Sequence, residues 1–168
     1  MIMRAILTTF LLATLGTLLT ASAATNEVLL ASDYEPAEAA YRLFLQTPPP
    51  SKQGWRTNLV YCLAYGRSNS PLPADFMARF AATPLRVITD TNALLFAAGG
   101  AISDRVSGRP AVVLALRSLS LKEGHADASI RWIDSSRTVA QVFHFVKESG
   151  GWKYQGGFST STSSRWTP

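Results

Sequence analysis

Between residues 111 and 159 apolar and polar side chains alternate with a period of two in four runs: Ala111 to Leu121, His125 to Asp134, Arg137 to Lys147 and Trp152 to Ser159. A period of two is the signature of strands with one face buried. The runs are separated by Glu123-Gly124, Ser135-Ser136 and Ser149-Gly150, each able to serve as a two-residue hairpin connection. Loop length then dictates pairing, with Lys122 opposite His125, Asp134 opposite Arg137 and Glu148 opposite Gly151. In that register one face collects Leu119, Leu121, Ala126, Ala128, Ile130, Trp132, Val139, Phe143, Phe145, Trp152, Tyr154 and Phe158, and reads as the core face. The other collects Ser118, Ser120, His125, Asp127, Ser129, Arg131, His144, Lys153 and Gln155, with Leu114, Leu116, Val142 and Val146 among them.

Upstream the period changes. Ser32-Asp33-Tyr34-Glu35 has the form of a capping box, Pro36 falls in the first turn, and Ala39, Ala40, Leu43 and Phe44 follow at helical spacing until Thr47-Pro48-Pro49-Pro50. Trp55 to Tyr65 is rich in aromatic and branched residues and predicts a buried strand. Pro71-Leu72-Pro73 leads into a second helix over Ala74 to Ala82, with Phe76, Met77 and Phe80 on one side. Residues 85–110 leave strand and irregular structure both open. The fold class expected is α+β, with N-terminal helices packed on a curved antiparallel sheet formed mainly by a C-terminal four-strand meander. Ser159-Thr160-Ser161-Thr162-Ser163-Ser164 reads as part of a frayed Ser/Thr-rich tail over 159–168, with Trp166 exposed or docked back.

The first 23 residues set the address. Arg4 is followed by an uncharged apolar stretch from Ala5 to Leu19 and then Ala21-Ser22-Ala23, the pattern of a signal peptide cut before Ala24. The expectation is one α+β domain over 24–158, in the periplasm or secreted, without stable membrane insertion after cleavage. Of 168 residues 47% are hydrophobic and 16% charged, which supports a packed core and excludes the disordered class. Removing Arg4 leaves 15 basic and 11 acidic residues, and the cations are scattered from Arg42 to Arg165, so nucleic acid is not an expected partner. Cys62 stands alone among apolar neighbours and reads as a buried thiol with no intramolecular disulfide.

The final hairpin, Phe143-His144-Phe145-Val146-Lys147-Glu148-Ser149-Gly150-Gly151-Trp152-Lys153-Tyr154, resembles small exported members of the nuclear transport factor two-like superfamily, and the likeness covers residues 111–158. The resemblance implies a cone-shaped α+β domain whose sheet wraps around helices and leaves a pocket, used by some members for catalysis and by many for binding or dimerisation. Enzymatic members place an Asp with a His or Tyr inside that pocket. Here the core face of the four strands has Tyr154 and no His or carboxylate.

On the opposite face the register sets Asp127 across from His144, with His125 diagonal to it. Directly paired residues have Cβ atoms about 5 Å apart and diagonal ones about 7 Å, so two imidazoles and a carboxylate could meet around one metal ion. An ordinary cross-strand polar pair explains the same residues without a ligand. Ser118, Ser120 and Ser129 nearby suggest a hydrolase only superficially, since a flat sheet face supplies no preorganised oxyanion donors. The reading is therefore an exported, non-enzymatic binding or interaction module without a cofactor or resident metal. Its candidate binding residues are His125, Asp127, Arg131, His144 and Tyr154, and its partner is a protein, a small apolar ligand or a second copy in a homodimer. A periplasmic immunity or inhibitor protein is one version. The alternative is a small enzyme or metal-dependent protein using His125, Asp127 and His144.

Overall fold

The computed structural model describes residues 27–46, 58–98, 100–134 and 137–164. Residues 1–23, expected to be a signal peptide, together with Thr47 to Pro50, Trp55, Ser135-Ser136 and Trp166, lie outside the described residues. In chain order the elements are α1 (Tyr34–Gln46), β1 (Val60–Tyr65), β2 (Ser70–Pro71), α2 (Ala74–Ala78), β3 (Arg86–Ile88), β4 (Leu94–Phe96), β5 (Ile102–Asp104), β6 (Ala111–Lys122), β7 (His125–Ile133), β8 (Arg137–Glu148) and β9 (Gly151–Ser164). The fold is α+β, and the C-terminal meander β6 to β9 is its largest part.

The hairpin spacing predicts the pairing near each turn. Lys122 pairs with His125, Ile133 with Thr138, and Glu148 with Gly151. Glu123 and Gly124 both take positive φ, 45° and 80°, as a two-residue turn matched to the twist of its strands requires.

Away from the turns, bulges change the faces. The register of β6 on β7 shifts between Leu116 and Ser118, so Arg117 is the extra residue. Leu114 and Leu116, expected on the polar face, therefore stand opposite Trp132 and Ile130 and are fully buried in the main core. A second shift leaves Gln155 between residues paired with Phe145 and His144. It carries Phe158 from the expected core face to the opposite side, across from Val142 and 55% exposed. The Ser/Thr run is a strand rather than a frayed tail, since Ser161 to Ser164 pair with Ala140 to Arg137.

The sheet is mixed rather than antiparallel. Its order is β2-β1-β6-β7-β8-β9, and β1 runs parallel to both β6 and β3. Residues 85–110 thus add β3 to the main sheet and form a separate β4-β5 hairpin. The hairpin covers one face of β1 and β6, where Leu94 and Ile102 pack with Val60, Cys62, Ala64, Val113, Ala115 and Ile133. Burial pushes the Cys62 thiol up to about 12, with Asp90 adding to the effect, and leaves it protonated at neutral pH.

The other face, here the inner one, holds the main core. Ala37, Ala40, Tyr41, Phe44 and Leu45 of α1 are buried with Leu114, Leu116, Ala128, Ile130, Trp132 and Phe143. The Phe44 ring meets Trp132 at 6.2 Å and Phe143 at 6.4 Å between centroids. The Tyr41 hydroxyl donates to the Ala64 carbonyl at 2.6 Å, tying α1 to β1. At its start the helix departs from the capping box. A 3-10 turn occupies Ala31–Asp33, and Ser32 Oγ donates to Asp33 Oδ1 at 3.0 Å instead of capping the helix. The second helix stops at Ala78 and continues as turns to Ala82, with Phe76 and Phe80 buried.

Candidate functional site

The two faces of the sheet carry two different groups of candidate residues. On the inner face, α1 lies across the meander and faces the β8-β9 hairpin. The result is a groove of about 640 Å³ between α1 and that hairpin. Phe145, Trp152 and Tyr154 line it from the sheet, and Glu35, Ala39, Arg42 and Leu43 from the helix. Alternation puts the three aromatics on one face, and cross-strand pairing of Phe145 with Tyr154 brings their rings to 6.0 Å. Phe145 is buried beneath them, whereas Tyr154 is 48% exposed.

Charges rim this groove. The Lys147 ammonium lies 5.8 Å from the Trp152 ring centroid and 3.5 Å from Glu35 Oε2. Glu38 accepts from Arg42 Nε at 2.7 Å and from Arg79 Nη1 at 2.8 Å. Partial burial raises the Glu38 carboxyl, but the hydrogen bonds from Arg79 and Arg42 outweigh it and hold the carboxyl below its ordinary value. That acid is an ionised, engaged group, and the floor of the groove is apolar.

On the outer face the structure places Asp127 opposite His144, as the hairpin arithmetic predicts. His144 Nδ1 and Asp127 Oδ1 are 2.6 Å apart, a charge-assisted hydrogen bond when the imidazole is protonated. Both side chains face solvent, and the displaced Phe158 ring covers one side of the imidazole at 5.7 Å between centroids. His125 shares this face but stands opposite Val146 and is exposed. Among the described residues no three His, Cys, Asp or Glu side chains converge as a metal would require. Ser120 pairs with Asp127 rather than with His144, so the order across the strands does not place a serine beside the imidazole.

Arg131 sits farther along the same face, between Ala115 and Ala140. Tyr154 is on the opposite face, in the groove. The five sequence candidates thus divide into one contacting pair, two separate residues on the same side, and one aromatic on the other. Glu35, Arg42, Lys147 and Trp152 of the groove are absent from that set. Trp152 could have been added, because it shares the predicted face of Tyr154 in the same hairpin, whereas the helix residues depend on how α1 crosses the sheet.

Comparison with protein families, curated proteins and solved structures finds no match to this chain. No described helix is long and apolar enough to cross a membrane.

Proposed function

We propose that this chain is an exported, non-enzymatic binding module that holds a small apolar ligand, or an apolar side chain of a protein partner, in the groove between α1 and the β8-β9 hairpin. The observation that carries this reading is the aromatic floor of Phe145, Trp152 and Tyr154 beneath a charged rim, in a groove of about 640 Å³. A concave site of this size, with aromatic side chains on its floor and polar groups around them, is a usual form of a small-ligand pocket. The export address rests on the leader pattern, and the resemblance to nuclear transport factor two-like domains is in keeping with a pocket between helix and sheet.

A neutral fluorescent apolar probe such as N-phenyl-1-naphthylamine tests the reading. Saturable binding is expected, and Tyr154→Ala should weaken it about tenfold, the scale of one lost aromatic contact. His144→Ala on the other face should leave it unchanged. Undiminished probe binding by Tyr154→Ala, or loss with His144→Ala alone, would move the site to the outer face. The His144 to Asp127 contact of 2.6 Å is the one feature favouring the second reading, an acid/base enzyme centred on that pair.

A further inference from the structure

The outer face of the meander carries positive charge that its own carboxylates do not reach. Asp127 is engaged by His144, and Glu148 is engaged by Lys153 across the β8-β9 turn. The Arg131 Nε is buried and has no acceptor among the described residues. Its neighbours on either strand are Ala115 and Ala140, side chains too short to supply one. The Nε donor of a charged group is thus left unmet on the protein side, and such a buried unmet donor is costly.

The surroundings of Arg131 add polar groups of matching sense. Ser129 is the next residue of β7 on the same face, about 7 Å along the strand, and pairs directly with Ser118 of β6. Arg117, extruded at the bulge beside Ser118, is anchored by its Nη1, which donates to the carbonyls of Gly66 at 3.0 Å and Arg67 at 2.8 Å and to Asn69 Oδ1 at 3.3 Å. Its guanidinium is thus fixed by neutral acceptors. Burial lowers the Arg117 pKa, and the positive charge of Arg131 lowers it further, so the two cations sense each other. Glu27 offsets Arg117 only in part, and its carboxylate accepts the Arg67 backbone N–H at 2.6 Å.

We propose that Arg131, with the Ser129 and Ser118 hydroxyls beside it and the anchored Arg117 adding positive field, forms a binding site for an oxyanion of the phosphate or carboxylate type. The site is independent of the inner-face groove. A planar guanidinium presents paired N–H donors that match two oxygens of such a group, and two hydroxyls supply further donors to a third.

Inorganic phosphate and acetate, titrated separately and followed by calorimetry, test this directly. At least one should bind saturably, and which one does distinguishes a tetrahedral from a planar ligand group. Arg131→Met keeps the apolar stem and should weaken binding by at least about tenfold. Arg131→Lys keeps the charge but not the fork, and should fall between the two. Arg109→Gln, which removes the same charge from an exposed loop, should bind like the parent protein. Circular dichroism establishes that each variant is folded. Saturable binding by neither anion, equal binding by Arg131→Met, or equal loss in Arg109→Gln would each overturn the proposal.

Discussion

The two ends of the central sheet treat their faces differently. Where β1 and the first half of β6 run side by side, both faces are buried: α1 and α2 lie over one, and the β4-β5 hairpin over the other. Every residue from Ala111 to Leu116 is buried, and so is every residue of β1 except Tyr65. Where β7, β8 and β9 continue the sheet, α1 covers only the inner face, and burial alternates along β7. Among the described residues parallel pairing occurs only at the first end, in keeping with the rule that parallel strands occur where both faces are covered. The candidate chemistry gathers at the second end, where the outer sheet face is exposed along β7 and β8.

Breaking the inner face should cost most. Phe145 is nearly inaccessible and Phe145→Ala should destabilise by about 3–5 kcal/mol, whereas Gln155→Ala, at the bulge, should stay within about 0.5 kcal/mol. Urea denaturation of both variants measures the gap. Equal midpoints would mean that the β8-β9 register is wrong.

The doubly covered end can be probed through acid. Asp104, at the end of β5, is buried and its Oδ2 accepts from the backbone N–H of Ser107 at 3.0 Å and from the Ser107 hydroxyl, and it pairs with Arg86 at 3.0 Å. The Ser107 hydroxyl is the largest influence on its carboxyl and lowers its pKa; burial opposes this, while the Ser107 N–H and Arg86 add to the lowering. A carboxyl depressed in the folded state contributes stability that is fully present above its unfolded pKa of about 4 and is lost as pH falls through the lower folded value. Asp104→Asn should therefore be less stable than the parent at neutral pH, and the difference should shrink on acidification. Denaturation midpoints taken from pH 7 downward check this; a constant difference would remove the charge from the explanation.

Breaking a side-chain contact should matter least at the open face. His144→Ala loses one solvent-exposed pair and should change stability by no more than about 1 kcal/mol at neutral pH. A loss as large as that of Phe145→Ala would show that this face is covered in solution.

Much of this contrast is legible in residue order. Alternation over β7 and near the hairpin turns places Ala126, Ala128, Ile130 and Trp132 inside, and it places Asp127 across from His144. A strict period of two could not reveal where the period is broken. The extra residues at Arg117 and Gln155 shift Leu114, Leu116 and Phe158 to the faces opposite those expected. No local signal marks Arg117 as a bulge, because what stabilises it is its bonding to the turn at Gly66 to Asn69, some fifty residues earlier in the chain.

The chain's own chemistry determined the α+β class, the positions and lengths of the hairpin turns, and the contact between Asp127 and His144, since each follows from short-range periodicity and turn length. Only the tertiary structure decided that β1 lies parallel to β6, that the β4-β5 hairpin covers part of the outer face, and that α1 forms a groove with Trp152 and Tyr154. A continuous apolar run such as Val60 to Tyr65 reads the same whichever neighbour it pairs with. Its partner is selected by the burial of two faces at once, and that requires residues far apart in sequence to be assembled before any of them is covered.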